Sequence, residues 1–165
     1  MDSKVVTMKY KTLALAAACF FSTMTFATEK FPAQCRVSGL RYDHSNLVLF
    51  AQHTAKPRLY AIQNNSKNAV WVVHESSRGM GAGWNSQLSP HHWTALLMTH
   101  PNFDFTCHLV KKTGGMKTVP CKQVLQVCQF SHFYSKNPIS GGYWVGENLT
   151  LNALMTRIRA RGFEV

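Results

Sequence analysis

Between Asn68 and Met98, two short apolar runs, Val70–Val73 and Trp93–Met98, each carry a tryptophan and flank a link containing Gly79, Gly81 and Gly83. Apolar runs this short, bounded by glycine, proline and asparagine, are strand-sized rather than helix-sized. In the second run Trp93, Ala95 and Leu97 alternate with Thr94, Leu96 and Met98, and both sets are mostly apolar. That pattern predicts a central strand packed between layers. Both runs are therefore read as strands with core tryptophans, Trp71 and Trp93. The glycine link has no G-K-[ST] ending and no dinucleotide-binding spacing, so it is read as a tight exposed connection or a bulge.

The rest of the chain repeats this texture. Asn46–Ala51 and Arg58–Gln63 are strand-length runs separated by Lys56-Pro57, and Asn64-Asn65-Ser66-Lys67-Asn68 is a turn by composition. Residues 59–73 accordingly read as a hairpin. Phe103, Phe105 and Cys107 alternate with Asp104 and Thr106, predicting a strand with its cysteine inward. Lys111 to Lys117 is a basic exposed turn, Val119 to Phe130 resumes as a strand, and Tyr143-Trp144-Val145 is the last strand after a turn at 138–142. The period then changes. Leu151, Leu154, Met155 and Ile158 fall at i, i+3, i+4 and i+7, with Arg157, Arg159 and Arg161 off that stripe and Gly162 as a stop. This is one amphipathic helix. The expected fold is mainly β, an antiparallel β-sandwich or partly open barrel with one C-terminal amphipathic helix.

At the N-terminus, Lys4, Lys9 and Lys11 precede an apolar run from Leu13 to Phe21 and a small-x-small exit, Thr25-Phe26-Ala27. That is the layout of a secretory signal peptide over residues 1–27, followed by a single disulfide-stabilised domain over 28–165, with no transmembrane anchor left after processing. The expected location is the periplasm or outside the cell. Lipid anchoring at Cys19 is the minor alternative, weakened because Leu15 lies one place too far upstream. Four cysteines remain, Cys35, Cys107, Cys121 and Cys128. An even set in an exported chain reads as two disulfides, and the absence of a C-x2-C or C-x4-C unit argues against a zinc knuckle. Cys121 and Cys128 are seven apart and would face opposite sides of one straight strand, which argues against their pairing. Cys107 and Cys121 flank a Gly-Gly turn, which leans toward 107–121 with 35–128, with the other two pairings still open.

Charge bounds the partners. The whole chain carries 18 Lys+Arg against 7 Asp+Glu, and removing Lys4, Lys9, Lys11 and Asp2 leaves 15 and 6, a net of about +9. Such a domain suits an anionic glycan or lipid surface, or an envelope or host protein. Nucleic acid is not expected, because the charges are scattered and no helix-turn-helix, zinc-finger or RNA-sheet signature accompanies them.

No segment spells out a reaction. His74-Glu75 fails the H-E-x-x-H pattern because Arg78 stands where the second histidine should be. His91-His92 and His100 lie near the same apparent strands, but His92 shares a face with Leu96 and Met98 and reads as a rim residue rather than a ligand, so neither metal nor cofactor is expected. Ser76, Ser77, Ser86 and Ser89 lie near histidines, but none sits in G-x-S-x-G. Glu75 with Asp104 or Glu147 is the carboxylate pair a glycan hydrolase would need. No catalytic residue is assigned. Binding candidates are aromatic and basic residues near turns: Trp84, His91, His92, Tyr134, Tyr143 and Trp144, with Arg157 and Arg161 on the terminal helix.

AGWNSQLSPHHWTALLM, FDFTC, VPCKQVLQVC, YWVGEN and LNALMTRIRARGF together resemble the small exported enhanced-entry proteins of Legionella and related intracellular bacteria, of the EnhB type. The likeness spans about Tyr60 to Phe163. It implies a secreted or periplasmic virulence or envelope factor of a Gram-negative pathogen, without an assigned reaction, and so carries over no catalytic residues. The expected function is an exported non-enzymatic binding or structural module of the bacterial envelope that promotes host-cell entry. The alternative is a periplasmic or secreted hydrolase acting on peptidoglycan or another glycan.

Overall fold

In the computed structural model the described strands fall into two open antiparallel sheets and a two-stranded ribbon. The structure describes residues 31–37, 40–43, 45–50, 56–74, 85–99, 102–139 and 141–165. Among these, the first half runs β1 (Cys35–Arg36), β2 (Leu40–Asp43), β3 (Asn46–Phe50), β4 (Arg58–Asn64), β5 (Val70–Val73), β6 (Asn85–Leu88) and β7 (Trp93–Met98). The second half runs β8 (Asn102–Val110), β9 (Met116–Val119), α1 (Cys121–Val124), β10 (Leu125–Phe130), β11 (Tyr134–Ser135), β12 (Tyr143–Leu149), α2 (Leu151–Ala160) and β13 (Phe163–Glu164).

One open sheet has the order β1-β10-β4-β7-β12. The other has the order β2-β3-β8-β5-β6, with β9 added to β8. Pairings in both are antiparallel; within the second sheet β3 takes residues 102–105 of β8 and β9 takes 107–110. The fold is thus mainly β, with open sheets rather than a closed barrel, and the short helix α2 near its C-terminus. Phe31–Val165 is one compact unit.

Two apolar cores make three layers. Leu47, Leu49, Val70, Val72 and Phe105 of the six-stranded sheet meet Tyr60, Ile62, Leu96 and Met98 of the five-stranded sheet. On the far side of the five-stranded sheet, Leu59, Ala61, Trp93, Ala95 and Leu97 meet Leu154 and Ile158 of α2, and Phe163. This explains why β7 is apolar on both faces: all six of its residues are buried. Thr94, fully buried, satisfies its hydroxyl by donating to the Gly146 carbonyl at 2.8 Å. Each core is pinned by one disulfide. Cys107–Cys121 lies in the inter-sheet core and Cys35–Cys128 in the core under the helix. This is the pairing that the Gly-Gly turn favours.

Three local expectations are corrected. Residues 59–73 do not form a hairpin. Both edges of β4 are taken, by β7 and β10, so β5 has no place beside it and pairs with β6 and β8 in the other sheet. The asparagine-rich turn is a crossover between layers, and Asn64 holds it. Its Nδ2 lies 2.7 Å from the Asn68 carbonyl, 3.0 Å from that of Leu88 and 3.1 Å from that of Ser89, while its Oδ1 accepts from the Ser66 N–H at 2.9 Å.

Val119 to Phe130 is not one strand either. Pro120, with no N–H to give a ladder, precedes the single helical turn α1, which moves the chain from one sheet to the other. Finally, Tyr143–Val145 is not the last strand. β12 extends to Leu149 through irregular register at Gly146, and β13 follows α2 to pair with β11. Two-residue strands are too short for alternation to reveal.

Candidate functional site

The sequence-derived candidates do not gather at one point. Trp84 lies outside the described residues, as do Gly79, Gly81, Gly83, Glu75, Ser76, Ser77, Arg78, His100 and the leader with Cys19. His91 and His92 belong to the turn that crosses back from β6 to β7. Their backbones stitch it to the other crossover: the His91 N–H donates to the Asn64 carbonyl at 2.9 Å, and the Asn64 N–H donates to the His92 carbonyl at 3.0 Å. The His92 ring rests with Nδ1 3.0 Å from the Pro90 carbonyl.

Tyr143 and Trp144 sit elsewhere. Tyr143 pairs with Leu97 and Leu149 with Trp93, so the Tyr143 end of β12 and the histidine turn are at opposite ends of β7. Tyr143 is exposed, whereas Trp144 packs against the inter-sheet core with its ring 6.0 Å from Phe105. Arg157 and Arg161 are exposed at α2 and its C-cap. His74 places Nδ1 2.7 Å from the Asp104 carbonyl. Among the described residues, no three His, Cys, Asp or Glu side chains come together as a metal site would need.

The concave surfaces are built from other residues. The first lies on the outer face of the six-stranded sheet. β5 turns Val70 and Val72 into the core, so Trp71 and Val73 face outward. In register beside Trp71 stand Gln87 on β6 and His108 on β8. Trp71, Val73, Asn85, His108 and Met116 line a shallow, largely apolar concavity of about 350 Å³. The His108 ring is held across the sheet by two hydroxyls, Thr106 Oγ1 3.1 Å from Nε2 and Thr118 Oγ1 3.1 Å from Nδ1. Either tautomer fits, since each hydroxyl can donate or accept. Met116 is 61% exposed beside them. Trp71 is therefore only half-buried and lies outside the core, unlike Trp93.

The second concavity, about 770 Å³, lies where the start of β4 meets the segment 130–139. Lys56, Arg58, His132, Phe133 and Tyr134 are among its lining residues, with Ser131 and Ser135. Phe133 is anchored edge-on against Phe163 at 5.9 Å, and the β11–β13 ribbon carries Tyr134, 65% exposed. Lys136 is committed to Glu164 at 2.9 Å, a partnership that raises its ammonium above its ordinary pKa.

Of the lining residues, the sequence pointed to Tyr134 alone. Trp71 was detectable only by treating β5 as one-sided, and Val70–Val73 is apolar on both faces. Searches against protein-family models, curated proteins and solved structures return no match to this chain. No helix among the described residues is long and apolar enough to cross a membrane.

Proposed function

We propose that this chain is an exported, non-enzymatic binding module of the bacterial cell envelope, with the outer face of the six-stranded sheet as its contact surface for an envelope or host protein. The observation that carries this is an asymmetry. The five-stranded sheet has apolar cores on both faces, whereas the six-stranded sheet leaves Trp71, Val73 and Met116 around an open concavity. A half-buried tryptophan beside an exposed methionine, with the exposed Gln87 in register next to it, has the composition of an interface anchor and its polar surround. Export is supported by the basic-apolar-small leader and by two disulfides, which persist in oxidising compartments. The resemblance to enhanced-entry proteins extends the proposal to host-cell entry.

Expression of the full chain in a Gram-negative host tests the compartment. The expected product begins after Ala27, is recovered from periplasm or medium, and has no free thiol in residues 28–165. An uncleaved, reduced product confined to the cytoplasm would rule the proposal out.

A further inference from the structure

We infer that the concavity between the start of β4 and the segment 130–139 binds a carboxylate-bearing sugar, as the acidic residue of a glycan. Three features converge there. The first is uncompensated positive charge: Lys56 and Arg58 line the groove with His132, and no Asp or Glu stands among its described lining residues. Lys136 next to it is already paired with Glu164, so the charge offered to a ligand is that of Lys56 and Arg58.

The second feature is Arg58. Its Nε is buried and has no hydrogen-bond partner among the described residues. A buried donor left unmet is rare in a folded protein and marks a place where a partner belongs. Nε is closed to solvent in this conformation, so a ligand carboxylate would reach it only with a turn of the guanidinium, whose fork then matches the two carboxylate oxygens.

The third feature favours a sugar over a bare anion. Ser131 Oγ donates to the Gln34 carbonyl at 3.1 Å, and Ser135 Oγ donates to the Asn137 carbonyl at 2.7 Å. Both hydroxyl protons are committed; Ser135 Oγ also accepts from the Asn137 N–H at 3.3 Å, so Ser131 Oγ offers two lone pairs and Ser135 Oγ one to ring hydroxyls. Tyr134 adds a largely exposed aromatic face for the apolar side of a ring. Inorganic phosphate would use the cations but neither of these.

This site lies apart from the Trp71 surface and rests on different residues. The test is calorimetric titration of the full disulfide-bonded chain with an oligomer of galacturonic acid, against a neutral galactose oligomer of equal length, inorganic phosphate, and anionic phospholipid vesicles. The acidic oligomer is expected to bind at least tenfold more tightly than the neutral one, and phosphate to compete weakly. Lys56→Gln and Tyr134→Ala, both at exposed positions, should each weaken binding about fivefold or more without shifting the melting temperature, and Trp71→Ala should leave it unchanged. Arg58→Gln should abolish it. Equal binding of the acidic and neutral oligomers would overturn the inference. So would binding of the acidic oligomer that ignores Tyr134→Ala, which would reduce the effect to charge alone, or preference for the vesicles.

Discussion

Two tryptophans in similar-looking runs have opposite fates. Trp93 is fully buried between the five-stranded sheet and α2, with the Phe31 ring edge-on at 6.2 Å, whereas Trp71 faces out from β5. Trp93→Ala should therefore cost about 3–5 kcal/mol in urea unfolding, through lost transfer and cavity terms. Trp71→Ala should cost about 1 kcal/mol or less, since its loss opens no internal cavity. Equal costs would place Trp71 in a core. The local sequence could not separate them: valines surround Trp71, so apolarity marks both faces, and only the partners of β5 decide which is covered. Asn64 was legible as a turn residue but not as the clasp of two crossovers, because its carbonyl partners Leu88 and Ser89 are distant in sequence. Burial raises the Tyr42 hydroxyl above its ordinary value of 10.0. The unfolded chain then ionises first, so the stability present below that value falls as pH rises through it. Urea melts at about pH 9 and 11 should show this loss, and Tyr42→Phe should reduce it.

At the scale of elements, α2 is the piece most fully announced by the sequence. Its stripe buries Leu154 and Ile158, Thr150 accepts from the Ala153 N–H at 3.4 Å, and Gly162 takes φ +84° to end it. A period of 3.6 needs only local sequence to be seen. Its docking depends on something less visible, the lack of a side chain at Gly146. A Cβ there would meet Arg157 Cγ at 3.0 Å and Leu154 Cδ1 at 3.1 Å. Gly146→Val should thus push α2 from the sheet and destabilise by about 1–3 kcal/mol, whereas Thr150→Ala should cost about 1 kcal/mol. Thermal unfolding of the two variants checks that order. The strands were legible as elements but not in their connections. Alternation reports a strand's faces and is silent on which sheet it joins, hence the misread 59–73 hairpin and the helical break after Pro120.

For the whole molecule, the disulfides act on separate cores and on loops of very different size. The bonded cysteines are 93 and 14 residues apart. Loop-closure entropy gives about 4.7 kcal/mol for the longer and about 3 kcal/mol for the shorter. The Cys35→Ala/Cys128→Ala pair should accordingly destabilise more than Cys107→Ala/Cys121→Ala. The sequence exposed the sandwich, the terminal helix and the cysteine set because each leaves a periodic or countable trace. It did not expose the two concavities, whose walls join residues from β5, β6, β8 and β9, or from β4 and the 130–139 segment. The central claim is that the outer face of the six-stranded sheet is a contact surface. It is tested most directly by a photo-crosslinking residue at Gln87, beside Trp71 in register, with a control at Arg159 on the exposed side of α2. In the full chain, exported by a Gram-negative host, the probe at Gln87 should give a defined protein adduct that Trp71→Ala removes and the Arg159 probe does not form. The same adducts from both positions, or an adduct indifferent to Trp71→Ala, would contradict the account.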